Sequence, residues 1–97
     1  MPKAYIVACY REVNDTEALA KYAALAGEAV KANGGRFLAR GGRVHALEGG
    51  IAERTALIEF DSFAAALAHY NSDTYRDALE ALGGSAVRDM RVVEAVE

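Results

Sequence analysis

The sequence predicts an α+β fold of the ferredoxin-like type, with the order βαββαβ, a four-stranded antiparallel sheet and the helices on one face of that sheet. Strand-like apolar segments alternate with amphipathic helical patterns in that order, and glycine pairs at positions 34–35, 41–42 and 83–84 mark turns and bends. The chain has 97 residues, of which 53% are hydrophobic and 26% are charged. These values are typical of one folded domain, which we expect to span residues 1–97.

The first strand and the first helix have clear limits. Residues 5–10 predict a strand buried on both faces, because both alternating sets of side chains are largely apolar. A helix is expected to begin at Asn14-Asp15-Thr16-Glu17, where a cap residue precedes an acidic side chain, and to end at Asn33-Gly34-Gly35. Between these limits apolar residues recur at steps of three and four: Leu19, Tyr22, Ala23, Ala26, Ala29 and Val30.

The middle of the chain predicts two further strands. Residues 36–40 form the second strand, which Gly41-Gly42 interrupts with a bulge or bend before an extended pattern resumes over residues 43–48. Residues 53–60 predict the third strand, in which Ala56, Ile58 and Phe60 share one face.

The C-terminal part predicts two helices and a strand. Asp61-Ser62 is suited to cap the first of these helices, and Ser72-Asp73 is suited to cap the second. Residues 88–96 predict the fourth strand. The two apolar helix stripes are Phe63, Ala66, Leu67 and Tyr70, and then Tyr75, Ala78, Leu79 and Leu82.

The predicted topology leaves the second face of the sheet without helices, although Leu57, Val93 and part of the first strand place apolar residues there. An apolar sheet face in water is a site of association. We therefore expect a homodimer in which two sheets pack face to face as a barrel-like body.

Several segments resemble the domain of unknown function 1330 family. These are residues 34–42 (GGRFLARGG), 47–49 (LEG) and 58–60 (IEF), together with Tyr70-Asn71-Ser72 followed by Tyr75. The resemblance covers nearly the whole chain and implies a dimeric α+β barrel. That superfamily includes cofactor-independent monooxygenases, muconolactone isomerases, haem-handling enzymes and ligand-binding domains, so the resemblance implies no single activity.

Arg40 and Glu59 are the candidate catalytic residues. If the second and third strands pair as a hairpin, these residues lie on neighbouring strands, and we expect both to face the inter-sheet cavity. Arg40 would then hold an anionic substrate, and Glu59 would accept a proton. The alternative interpretation, a structural cross-strand ion pair, is favoured.

Aromatic and polar residues extend the candidate ligand site. Tyr5, Tyr70 and Tyr75 are expected to supply aromatic walls and phenol groups, although core packing is their default role. Asn71 and Ser72 lie at the junction of two helices, where they are suited to bind a ligand carbonyl or hydroxyl, although helix capping is the favoured role.

The sequence predicts no metal site and no cofactor. His45 and His69 have no second ligand at metal spacing, and His69 falls off the predicted apolar stripe of its helix. Cys9 is expected to be a small buried hydrophobe. The glycine pairs do not form a nucleotide-binding motif.

Charge and hydropathy limit the partners and the compartment. The formal net charge of −3, without a basic stripe, argues against nucleic acid binding. No apolar segment is long enough to cross a bilayer, so we expect no membrane partner. A single cysteine fits a reducing compartment, which predicts a soluble cytoplasmic protein.

Three functional hypotheses follow. The leading hypothesis is binding of a small organic molecule in a cleft between the sheet and the helices, with no activity assigned. The alternative is a cofactor-independent monooxygenase or isomerase that uses Glu59, Arg40 and a tyrosine. The third hypothesis is an accessory domain whose apolar sheet face only dimerises.

Overall fold

Four strands form one antiparallel sheet, in which the second, third, first and fourth strands along the chain are neighbours in that order. The computed structural model describes residues 2–97. The elements are β1 (Ala4–Val13), α1 (Thr16–Ala32), β2 (Arg36–Arg40), β3 (Thr55–Phe60), α2 (Phe63–Tyr70), α3 (Asp73–Leu82) and β4 (Ala86–Glu94). The predicted ferredoxin-like α+β fold is confirmed, with two helices between β3 and β4.

The core lies between the sheet and the helices. Ala4, Ile6 and Ala8 of β1 lie opposite Phe60, Ile58 and Ala56 of β3, and all six side chains are buried. We call this side of the sheet the inner face. The molecule is only 17 Å thick in its shortest dimension, which corresponds to one layer of sheet and one layer of helices.

The predicted limits of α1 are confirmed. The Asp15 carboxylate caps the helix by accepting hydrogen bonds from the amides of Glu17 and Ala18, at 3.0 and 3.1 Å. Asn33 ends the helix, and Gly34 follows in the left-handed region with a φ of 80°. The apolar stripe of α1 packs against Tyr75, Ala78 and Leu82 of α3.

The predicted orientation of α2 is wrong. Phe63, Leu67 and Tyr70 are 40%, 41% and 38% exposed, whereas Ala66 and His69 are the residues that face the core. The helix is rotated because His69 fits between the rings of Phe60 and Tyr75, with centroids at 4.9 and 4.8 Å. His69 is therefore a core residue at 1% exposure, and the prediction that it lies off the buried stripe is wrong.

The predicted extension of the second strand is also wrong. β2 ends at Arg40, and residues 41–54 form a loop that joins the sheet only through backbone hydrogen bonds at its two ends, within the described residues. Gly41 and Glu48 have positive φ values of 67° and 52°, which end the extended conformation. The loop lies beside Cys9 on the outer face of the sheet, where Cys9 is half-buried instead of buried.

No helix within residues 2–97 has the length and apolar character needed to cross a membrane.

Gly35 provides a test of packing between α1 and β3. A Cβ atom at this position would lie 2.6 Å from Cε1 of Phe60, a fully buried ring, and 3.1 Å from Cγ1 of Val30. We expect Gly35→Ala to lower the free energy of unfolding by about 1–3 kcal/mol, because the core must shift to admit the methyl group. Urea denaturation measures this change. Gly42→Ala, where a Cβ would meet nothing within 4 Å, is the control and should change stability by less than about 0.5 kcal/mol. Equal effects at both positions would contradict the packing argument.

Candidate functional site

A small cavity lies between the inner face of the sheet and the helices. Its volume is about 20 Å³, which is room for about one water molecule. Most of the wall is apolar or aromatic, and the strands contribute Ile6, Ala56, Ile58 and Met90. The groups on the wall that carry polar hydrogens are those of Tyr10, Tyr22, Arg40, Arg54, His69 and Tyr75.

Two tyrosines and an arginine form a hydrogen-bonded cluster at one side of the cavity. The Tyr22 and Tyr75 hydroxyl oxygens are 2.6 Å apart, and Arg88 Nη1 donates to the Tyr22 hydroxyl at 2.9 Å. Burial raises the pKa of Tyr22, so its phenol stays protonated at neutral pH. Together the two hydroxyls carry two protons, and the hydrogen bond between them uses only one of these protons. Arg88 is a donor to the Tyr22 oxygen, so it takes up a lone pair and no proton. One tyrosine O–H therefore remains available as a donor.

His69 has a hydrogen-bond network that fixes its protonated nitrogen. The Ser72 hydroxyl donates its one hydrogen to the His69 carbonyl at 2.7 Å. In its contact with Asn33 Nδ2, at 3.1 Å, the same hydroxyl can therefore only be the acceptor. Asn33 Nδ2 is thus a donor, and the same nitrogen donates to His69 Nδ1 at 3.0 Å. The proton of the neutral ring consequently resides on Nε2, which is buried and has no hydrogen-bond partner within residues 2–97. Burial also lowers the pKa of His69.

Arg40 lies on the inner face of the sheet, where it closes the cavity against α1. Its guanidinium donates to the carbonyl of Ala23 and lies 4.2 Å from the centre of the Phe37 ring. A bulge in β2 places it there: Phe37 pairs with Ile58, but Ala39 already pairs with Leu57, so Leu38 is an extra residue. Regular alternation would have put Arg40 on the outer face.

Glu59 lies on the outer face of the sheet. It lies opposite Arg36 and Tyr5 in the neighbouring strands, and its carboxylate accepts hydrogen bonds from Lys3 Nζ at 3.1 Å and from Arg36. These two hydrogen bonds hold the pKa of Glu59 below its usual range. The expected juxtaposition of Arg40 and Glu59 is therefore wrong, because the β2 bulge separates them onto opposite faces.

The junction between α2 and α3 is mainly a capping structure. Ser72 caps α3 by accepting from the amide of Tyr75 at 3.2 Å, and the exposed Asn71 side chain donates to the Leu67 carbonyl at 3.0 Å. The Tyr70 ring packs against the Tyr75 ring, with centroids 5.3 Å apart. Tyr75 is buried and lines the cavity, whereas Tyr70 is half-exposed.

Only Arg40 and Tyr75 of the predicted site residues line the cavity. Tyr5 lies with Glu59 on the outer face, Tyr70 lines a separate surface groove, and Asn71 and Ser72 belong to the helix junction. The prediction missed Tyr10, Tyr22, Arg54, His69 and Arg88. The presence of Tyr22 on the buried stripe of α1 was a signal that could have identified it. Within residues 2–97, no three His, Cys, Asp or Glu side chains converge in a way that could hold a metal ion.

The lowered pKa of His69 predicts a pH dependence of stability. Below about pH 6.5 the unfolded chain binds a proton at this histidine and the folded chain does not, so stability falls as the pH decreases through this range. The slope contributed by His69 is at most about 1.4 kcal/mol per pH unit. Urea denaturation between pH 7.5 and 5 should show a steeper loss for the natural protein than for His69→Gln. The control His45→Gln changes an exposed loop histidine. Identical slopes with and without His69 would contradict the prediction.

Solved structures with the same fold cover almost the whole chain. The RPA0582 protein of unknown function from Rhodopseudomonas palustris superposes with a TM-score of 0.72 at 22% identity, covering 97% of this chain and 81% of that one. Its methylated form gives a TM-score of 0.77 at 18% identity, with coverages of 99% and 82%. A protein from Caulobacter crescentus CB15 described as a "putative antibiotic biosynthesis monooxygenase" gives 0.65 at 22% identity, with coverages of 99% and 92%. A Bacteroides thetaiotaomicron protein of unknown function, described as a "possible oxidoreductase", gives 0.58 at 12% identity, with coverages of 96% and 95%. At these identities the similarities establish the fold alone.

No curated protein sequence is significantly similar to this chain. The family model named "Domain of unknown function (DUF1330)" matches residues 3–96. The match covers nearly the full length and agrees with the resemblance of the glycine-rich segment and the Tyr70–Tyr75 junction. The chain therefore belongs to the DUF1330 family.

Proposed function

We propose that this protein binds a small, largely apolar organic molecule in the cavity between the sheet and the helices. The observation that carries the proposal is a pair of buried N–H groups, His69 Nε2 and Arg54 Nε, that lack hydrogen-bond partners within residues 2–97 and belong to residues lining one apolar cavity. Buried polar groups in proteins almost always have partners. A pocket with apolar walls and a few polar groups is the usual form of a small-molecule site.

The wall between α1 and β2 offers a route of entry. A surface groove of about 450 Å³ lies outside this wall, and it shares Ala23, Val30, Phe37 and Arg40 with the cavity. Arg40 and Phe37 belong to β2, an edge strand that is bonded on one side only. Movement of these two side chains would join the cavity to the groove and create the volume that an organic molecule needs.

An enzyme is the second candidate, in the form of a cofactor-independent monooxygenase or isomerase. The descriptions of the Caulobacter and Bacteroides proteins support it. Glu59 cannot act in the cavity because it lies on the outer face, so this candidate must rely on the Tyr22–Tyr75–Arg88 cluster. Within residues 2–97 no carboxylate lines the cavity to serve as a general base. Binding without assigned chemistry is therefore our main proposal.

We also propose that the outer face of the sheet associates with a second copy of the chain. Two carboxylates near its centre are paired with cations: Glu59 pairs with Lys3 and Arg36, and Asp89 pairs with Arg91 at 3.1 Å. The half-buried apolar side chains of Val7 and Leu57 lie between these ion pairs. A face with an apolar centre and paired charges around it is suited to self-association, and a second sheet would enlarge a core that is small for a stable domain.

The cytoplasm is the compartment that we propose for the protein. The single cysteine, Cys9, is an unpaired thiol on the half-buried outer face. Such a thiol remains reduced in a compartment that contains glutathione.

Thermal-shift screening with a metabolite library tests the binding proposal. A molecule that binds only the folded protein must raise the melting temperature. Ala23→Leu, which adds bulk where the cavity meets the groove, should abolish the shift caused by any hit. Ala20→Leu, an exposed change on the same helix, should retain it. A hit whose effect survives Ala23→Leu would bind elsewhere, and a library without hits would favour the accessory-domain hypothesis.

Sedimentation at micromolar concentration tests the homodimer. We expect a species of twice the 10.3-kDa chain mass, and we expect Leu57→Glu to convert it into a monomer by placing an unpaired charge at the centre of the outer face. Leu25→Glu, at an exposed position of α1 on the helix side of the sheet, is the control and should leave the dimer intact. A stable, folded monomer of the natural chain would overturn the proposal.

A further inference from the structure

We propose that the cavity takes the anionic oxygen group of an apolar molecule, a carboxylate or an enolate, which enters between α1 and β2 past Arg40. This inference rests on the proposed binding function and adds the chemical class of the ligand. It follows from the distribution of charged partners, from the donors on the cavity wall and from the contacts of Arg40.

The arginines on the two faces of the sheet differ in their partners. The cations near the outer-face carboxylates are paired, as Arg36 is with Glu59 and Arg91 is with Asp89. In contrast, Arg40 and Arg54, which both line the cavity, form no ion pair within residues 2–97. The chain as a whole carries a net charge of −3, so carboxylates are not scarce. These two arginines thus bring positive charge to the cavity wall without a counter-ion among the described residues.

A third arginine adds to this positive charge. Arg88 lies over the faces of Tyr22 and Tyr10, with its guanidinium carbon 4.9 and 5.5 Å from the ring centres. Both tyrosines line the cavity, and Arg88 also forms no ion pair with any residue that the structure describes. The guanidinium of Arg54 lies near Tyr10, at 5.8 Å from its ring centre. Contacts with aromatic rings hold these cations in place without neutralising them.

The polar side-chain groups on the cavity wall are hydrogen-bond donors. His69 presents an N–H at Nε2 because Asn33 occupies its other nitrogen, and Arg54 presents the N–H at Nε. The Tyr22–Tyr75 pair has one O–H to spare. No Asp or Glu within the described part of the chain lines the cavity. A molecule that fits these donors must supply acceptor oxygens, and an anion forms the strongest bonds with guanidinium groups.

The contacts of Arg40 explain how such an anion would gain entry. In the closed state its guanidinium is bonded to the neutral carbonyl of Ala23 and stacks on Phe37. A carboxylate is a stronger acceptor than a backbone carbonyl, so an anion arriving in the groove would draw Arg40 away from Ala23. That movement opens the wall shared by the groove and the cavity. A neutral or cationic molecule has no anionic oxygen that could replace the Ala23 carbonyl as the acceptor for Arg40.

Three probes of similar size and different charge test this inference. Titration calorimetry with benzoate, benzyl alcohol and benzylamine, in a buffer free of carboxylates, compares an anion, a neutral molecule and a cation on one aromatic ring. We expect benzoate to bind at least about tenfold more tightly than benzyl alcohol, since a hydrogen bond to a charged group contributes this much, and we expect benzylamine not to bind.

Two arginine variants locate the effect. Arg54→Gln should weaken benzoate binding about tenfold and leave benzyl alcohol unchanged, and Arg40→Gln, which removes the charge at the entry wall, should lower the preference for benzoate over benzyl alcohol about tenfold. Arg43→Gln, at an exposed loop position, is the matched control. Far-ultraviolet circular dichroism confirms that each variant is folded, and Arg40→Gln keeps the test valid if Arg54→Gln does not fold.

The outcomes separate this inference from the binding proposal on which it rests. If benzyl alcohol binds as tightly as benzoate and Ala23→Leu abolishes both, the cavity binds organic molecules but the inference about anions is wrong. If benzoate binding is insensitive to both arginine variants, the inference is also wrong. If none of the three probes binds, the inference is overturned, and the library screen decides the binding proposal independently.

Discussion

The alternation of side chains along the strands determines the chemistry of each side of this protein. Along β1, Ala4, Ile6 and Ala8 point into the core, while Tyr5 and Val7 point to the other face. Because the period is two, one extra residue reverses every side chain beyond it. The bulge at Leu38 introduces that residue into β2, and the reversal brings Arg40 to the cavity while Arg36 remains with Glu59.

The Asn33 side chain has a second organising role. It ends α1, and its Nδ2 lies within hydrogen-bond distance of His69 at the end of α2 and of Ser72 and Thr74 at the start of α3, between which it shares its two hydrogens. One amide therefore connects the ends of three helices and determines which nitrogen of His69 carries the proton. The junction from Tyr70 to Tyr75, which resembles a family motif, contributes to the site by positioning His69 and Tyr75 and not through its own exposed groups.

Sequence patterns predicted the elements well and the site poorly, for identifiable physical reasons. Helix limits at Asp15, Asn33 and Ser72 are local, because a cap bonds to amides two or three residues away. The orientation of α2 is not local, since it depends on the fit of His69 between rings from two other elements. The bulge that relocates Arg40 has no glycine at Leu38 to signal it, so regular alternation was the only available expectation.

The central position of β1 has a consequence for how the protein is made. β1 is the first strand to leave the ribosome, yet its neighbours in the sheet are β3 and β4, at residues 55–60 and 86–94. Its inner-face partners are therefore about 50 to 90 positions distant in sequence, and closing such long loops slows folding. The sheet cannot be completed before β4, its C-terminal strand, has been synthesised. The nascent chain must keep an apolar strand without partners until β3 and β4 have been synthesised, and this exposes it to chaperones at that stage.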